Sequence, residues 1–127
     1  MNLLEYEAFT TSVSQEFFIF VNEPIRDNFV FRFDDDLDEY GIHVVKDNKH
    51  SIILNKSKLE TFSDRGAGII FHELTHYFDH MEFSYLEVTS RQKFLSLYTE
   101  FHAMYIQMLK WTGFKTPYDL KALSPLD

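Results

Sequence analysis

An α+β domain is predicted for this chain, on three observations. Aromatic and β-branched residues gather in three short runs between residues 28 and 54. The stretches on either side repeat their apolar residues at helical spacing. With 127 residues, 45% of them hydrophobic and 17% aromatic, there is enough apolar surface to bury a core and to exclude a disordered chain. The length is near the commonest size of one domain, and only 4 Gly and 3 Pro, with no repeat or low-complexity stretch, interrupt it. A single domain over residues 1–127 is therefore expected.

The elements follow in order. From about Leu3 to Val21, the residues Leu4, Phe9, Val13, Phe17, Phe18 and Phe20 trace a helical face, closed by Glu23-Pro24. This Phe-rich helix reads as core, with a surplus of aromatics up to Phe31 that is able to leave a patch exposed. Asn28 to Phe33 reads as a strand, and the acidic run Asp34 to Glu39 as a solvated loop. That run is a place for a basic substrate or a calcium ion, but it lacks the Gly and terminal Glu of an EF-hand. Gly41 to Val45 and Ser51 to Leu54 are two further strands, with Lys46 to His50 as their hairpin loop. Together these make a small sheet of about three strands. Ser63-Asp64 start a helix that runs to about Met81. A second long helix spans about Thr89 to Trp111 and stops at Gly113. Thr116-Pro117-Tyr118-Asp119 has the capping chemistry of a short final helix.

Charge and cysteine content narrow the function classes. Twelve Lys and Arg stand against 20 Asp and Glu, a net charge of -8 that repels phosphate backbones and anionic lipid. Nucleic acid and membrane are not expected partners. No cysteine is present, so disulfides, thiol catalysis and Cys-bound zinc are excluded, and any metal must sit on His, Asp or Glu. The first residues lack the basic character of a secretory leader, and the run Phe17 to Val21 is too short to span a bilayer; a cytoplasmic protein is expected.

One pentapeptide carries chemistry: His72-Glu73-Leu74-Thr75-His76, a His-Glu-x-x-His pattern. Residues four apart share one helix face, so both imidazoles can reach one zinc ion, and Glu73 can reach a water bound to it. With 6 His in the chain, chance produces such a pattern roughly 0.02 times. Catalytic zinc needs a third protein ligand and an open fourth position. His80 and Asp79 are candidates only if the helix breaks, lying about 12 and 10 Å along its axis from His72. Glu100 fits better. If the two long helices form an antiparallel hairpin, His76 and His72 lie about 8 and 14 Å back from the turn, and Glu100 about 15 Å along its partner. Ala103, one turn on, allows the helices to approach closely.

His72-Glu73-Leu74-Thr75-His76 followed by Thr99-Glu100-Phe101-His102-Ala103 resembles the small gluzincin metallopeptidases, the minigluzincins, and in particular the ImmA/IrrE-type proteins. The likeness covers about Ser51 to Leu109. It implies a zincin-like domain, a small sheet packed on the active-site helix and a second long helix bearing the third ligand. It implies Zn2+ bound by His72, His76 and Glu100, with Glu73 as general base in peptide hydrolysis by a metal-activated water, and a peptide or protein as substrate. It also implies that the strand before the motif helix, Ser51 to Asn55, lines the cleft and pairs with extended substrate. Larger gluzincins often carry an Asp where Met104 stands, so support for His72 must come from elsewhere. Gly68 serves either close backbone approach above the site or helix packing. His102, Tyr105, Tyr77 and His80 are candidate oxyanion donors. Two other readings remain open: an inactive zinc-binding module with a binding or regulatory role, and a zinc hydrolase of small amides or esters. Autoinhibition by the tail from Lys115 to Asp127 is conceivable.

Overall fold

A computed structural model of the chain describes residues 2–59, 63–83 and 88–113, those of 88–96 by their backbone alone. Three helices and a three-stranded mixed sheet follow in the order α1 (Leu3–Phe20), β1 (Phe29–Phe33), β2 (Gly41–Lys46), β3 (Lys49–Leu54), α2 (Asp64–Glu82) and α3 (Val88–Trp111). The α+β class expected from the sequence is the class observed. The expected helix from Thr116, and the tail from Lys115, lie outside the described residues. No helix of the described residues is long and apolar enough to cross a membrane.

Helix α1 begins where Asn2 Oδ1 accepts the Glu5 N–H at 2.9 Å. Its end comes before Pro24: Asn22 adopts a left-handed φ of 58°, and the N–H groups of Glu23 and Asn22 return to the carbonyls of Phe18 and Ile19 at 2.9 and 3.1 Å. That pattern satisfies the last carbonyls of the helix with a left-handed residue just past it. Phe9, Val13, Phe17 and Phe20 then share a buried stripe, with Phe18 beside it. Phe17 and Phe20 each meet Phe71 of α2 edge-on at 5.4 Å between centroids. The Phe-rich helix is core.

The sheet order is β1-β3-β2, with β1 parallel and β2 antiparallel to β3. The segment expected to be a five-residue loop is a two-residue turn. Asp47 and Asn48 both have positive φ, 53° and 62°, so the strands extend to pair Lys46 with Lys49. Two consecutive left-handed residues give the turn whose twist suits a hairpin, and Asp and Asn tolerate that conformation better than most side chains. The strand order corrects a second expectation. Ser51 to Leu54 is central and paired on both sides, so the edge strands are β1 and β2, of which β2 borders the cavity described below.

Behind the sheet, Asn55 organises the acidic loop. Fully buried, it donates to the carbonyls of Asp35 and Leu37 at 3.1 and 2.8 Å and accepts from the N–H of Ser57 at 2.9 Å and of Lys58 at 3.3 Å.

Helix α2 starts on Ser63, whose Oγ accepts the Gly66 N–H at 3.1 Å. It is buried on nearly every side, Ile70, Phe71, Leu74 and Tyr77 having no exposed surface. On α3, Ala103, Ile106 and Leu109 are the buried positions among the described side chains. Arg65 meets Trp111, His72 meets Gln107 and His76 meets Thr99, so partners fall along α3 as they rise along α2. The two helices are antiparallel, as their spacing predicts, and Ala103 lies fully buried in α3.

Candidate metal centre

The antiparallel pairing places the motif. His72 and His76 stand one turn apart on α2 with ring centroids 4.9 Å apart, and a single carboxylate faces both: Glu100 Oε1 is 3.3 Å from His72 Nε2, and Oε2 is 3.4 Å from His76 Nε2. Tetrahedral geometry with bonds near 2.05 Å puts neighbouring donors about 3.3 Å apart. The carboxylate of Glu100 thus stands from each imidazole at the separation of two donors that share one metal ion. His72, Glu73 and His76 also form a group that can hold a metal, each with a donor atom within 4.8 Å of the others. Glu73 is the farther donor, its Oε1 being 4.0 Å from His72 Nε2.

Both imidazoles are oriented from behind. His72 Nδ1 is 2.7 Å from Gln107 Oε1, and His76 Nδ1 is 2.9 Å from Thr99 Oγ1. Gln107 Oε1 can only accept, so His72 donates to it from Nδ1, which leaves Nε2 as the ring nitrogen facing Glu100. The Thr99 hydroxyl can accept from His76 in the same way. Burial, and next the neighbouring His72, hold the His76 pKa below the usual histidine value, favouring the neutral ring that a metal requires. Gln107 supplies the support for His72 that Met104 cannot.

Glu73 is buried, and its pKa is pushed up to about 8 by that burial first and then by the carboxylates of Glu100 and Glu39. Gly41 of β2 covers it: a Cβ there would lie 2.9 Å from Leu54 Cδ2 and 3.3 Å from Glu73 Cγ. The strand approaches the carboxylate closely because residue 41 has no side chain.

A comparison with family models, curated proteins and solved structures returns no match.

Around the cluster is an open cavity of about 470 Å³, lined by Glu39, Gly41, Ile42 and His43 on one side and by Thr99, Glu100 and His80 on the other. Among the expected oxyanion donors, His80 reaches this cavity and three do not line it. Tyr77 is fully buried with its hydroxyl on Asn28, His102 is held by both oxygens of Asp79 at 2.9 Å, and Tyr105 lines a groove on α3. Asp79, an alternative ligand from the sequence, is thus engaged by His102.

His43 and His50 were missed. They are hydrogen-bonded, His43 Nε2 to His50 Nδ1, at 2.9 Å, and His80 packs edge-on against both. Burial, then the adjacent His50 and His80, lowers the His43 pKa to about 3, so the ring is neutral. A hairpin with Asp47-Asn48 as its turn would have found the pair, since it sets residues 43 and 50 on one face of the sheet. Gly68 proves to be a packing glycine: its missing Cβ would fall 2.1 Å from Trp111 Nε1.

Proposed function

We propose that the protein is a zinc-dependent metallopeptidase of the minigluzincin kind, with His72, His76 and Glu100 as ligands and Glu73 as general base. The observation that carries this reading is the convergence of two imidazole Nε2 atoms and one carboxylate, beside a second, buried carboxylate, in one open cavity. A bound zinc ion supplies Lewis acidity, polarising the scissile carbonyl and acidifying water.

The chain's own residues do the rest. Glu73 takes a proton from the attacking water and delivers it to the leaving amine. Its raised proton affinity suits that exchange. The free edge of β2 offers backbone groups to an extended peptide, with Gly41 leaving room over Glu73. His43 and His80 line the same cavity, and their imidazoles are the side chains offered to the carbonyl oxygen as its charge develops. Cytoplasmic residence is part of the proposal.

A zinc ion that only staples α2 to α3 is the competing reading. Structural zinc is usually closed by four protein ligands, whereas Glu100 is 61% exposed at the mouth of the cavity. The experiment is cleavage of heat-denatured casein by zinc-loaded wild type and by Glu73→Gln. Wild type should yield fragments, and the variant should retain zinc and lose roughly 10²- to 10⁴-fold in rate. Equal cleavage by both proteins would refute the role of Glu73.

A further inference from the structure

Helix α3 has a second apolar face. Leu97, Phe101, Met104, Met108 and Trp111 recur at spacings of four, three, four and three, each at least 45% exposed, while Ala103, Ile106 and Leu109 are the buried positions among the described side chains of the helix. An apolar stripe of this size on a chain of net charge -8 is the kind of surface that marks a binding site. Part of it forms a groove of about 360 Å³, lined by Phe101, Met104, Tyr105, Gln107, Met108 and Trp111.

The groove adjoins the candidate active site at one residue, Gln107. A cavity of about 290 Å³ is lined by His72 and Glu73 of the metal centre and by Gln107 of the groove. Gln107 therefore holds His72 while forming part of the groove wall. Glu100, facing both imidazoles, is followed directly by Phe101.

We infer that this groove takes a large apolar side chain of the peptide substrate, two to four residues from the bond that is cut. The inference rests on the peptidase reading and names its substrate class. Met104 and Met108 lie about 6 and 12 Å along the helix from Glu100, and an extended peptide advances about 3.3 Å per residue. Two methionines make the wall adaptable, so the class is large apolar residues, Leu, Met or Phe, rather than one of them. A second copy of the chain fits less well. Like charges oppose association of two chains of net charge -8.

The only tryptophan of the chain, Trp111, is in the groove wall and reports on it. Zinc-loaded Glu73→Gln protein is titrated with two tryptophan-free decapeptides of Gly, Ser and Thr. One carries Leu three residues to either side of its centre, and the other carries Ser there. The Leu peptide should shift the Trp111 emission and bind about tenfold tighter, and Met108→Glu, at an exposed position, should remove the difference. Equal affinity for the two peptides, or no shift with either, overturns the inference. Emission that changes with protein concentration alone assigns the groove to a second copy and overturns it too. Casein cleavage by wild type separates the two claims. Cleavage without peptide discrimination sinks the groove alone, while discrimination without cleavage sinks the catalytic reading and leaves a peptide-binding groove.

Discussion

Gly68→Ala should destabilise the protein by about 1 to 2 kcal/mol, although alanine is the better helix former. The added Cβ would lie 2.1 Å from Trp111 Nε1 and 2.4 Å from Cδ1, where carbon contacts prefer about 3.5 to 4.0 Å. The indole must retreat by more than an ångström, which breaks its 3.1 Å hydrogen bond to the Arg65 carbonyl. Overpacking costs about 1 to 3 kcal/mol and the lost bond about 1, against a gain of about 1 from replacing a helical glycine. Trp111 is 45% exposed and has room to swing outward, which places the net cost in the lower part of that range. Urea unfolding followed by far-UV circular dichroism measures it, with the slope checked for constancy. The decisive control is Trp111→Ala, in which the obstruction is gone. There, Gly68→Ala should stabilise by about 1 kcal/mol, and the sign reversal is the signature of the contact. Stabilisation in both backgrounds would refute the packing argument.

Further predictions concern the loop, the ligand support and pH. Asn55→Ala removes four hydrogen bonds from a buried position and should cost about 3 kcal/mol in urea unfolding. Gln107→Leu leaves His72 Nδ1 without its acceptor and should weaken zinc binding about 10- to 100-fold, measured by competition with a chelating dye. His43 should make the fold acid-sensitive. Its pKa is about 3 when folded against 6.5 unfolded, so below pH 6.5 the unfolded chain binds a proton that the native chain does not. Stability from this group is present above pH 6.5 and is lost as pH falls toward 3, by about 2 kcal/mol at pH 5. Unfolding free energies at pH 7.5 and 5 should therefore differ less in His43→Gln than in wild type; an equal difference would contradict the assignment.

Local signals made the helices legible. The Ser63 cap, the apolar spacing of Ile70, Phe71, Leu74 and Tyr77, and the short link to α3 are enough to place Glu100 level with His72 and His76. Helix rise alone carries that step. Pairing between distant segments was not legible. Nothing local records that β1 runs parallel to β3 and leaves β2 at the edge, because that order is set by how the whole sheet packs against α1 and α2. The histidine pair followed from the same gap, since Asp47-Asn48 was read as part of a loop and the register of residues 43 and 50 was lost. Gln107 and Thr99 are ordinary polar residues on a helix, and only the crossing of α3 over α2 turns them toward imidazoles. Asn55 carries no motif; its role comes from burial beneath a loop whose carbonyls would otherwise lack partners.

The central claim is that His72, His76 and Glu100 hold one zinc ion while Glu73 stays free for chemistry. Elemental analysis on wild type, Glu100→Ala and Glu73→Gln, each purified without added metal and dialysed against a weak chelator, tests it most directly. The account predicts one zinc per chain in wild type and in Glu73→Gln, with strong loss in Glu100→Ala. Zinc absent from wild type, or retained equally in Glu100→Ala, would contradict it.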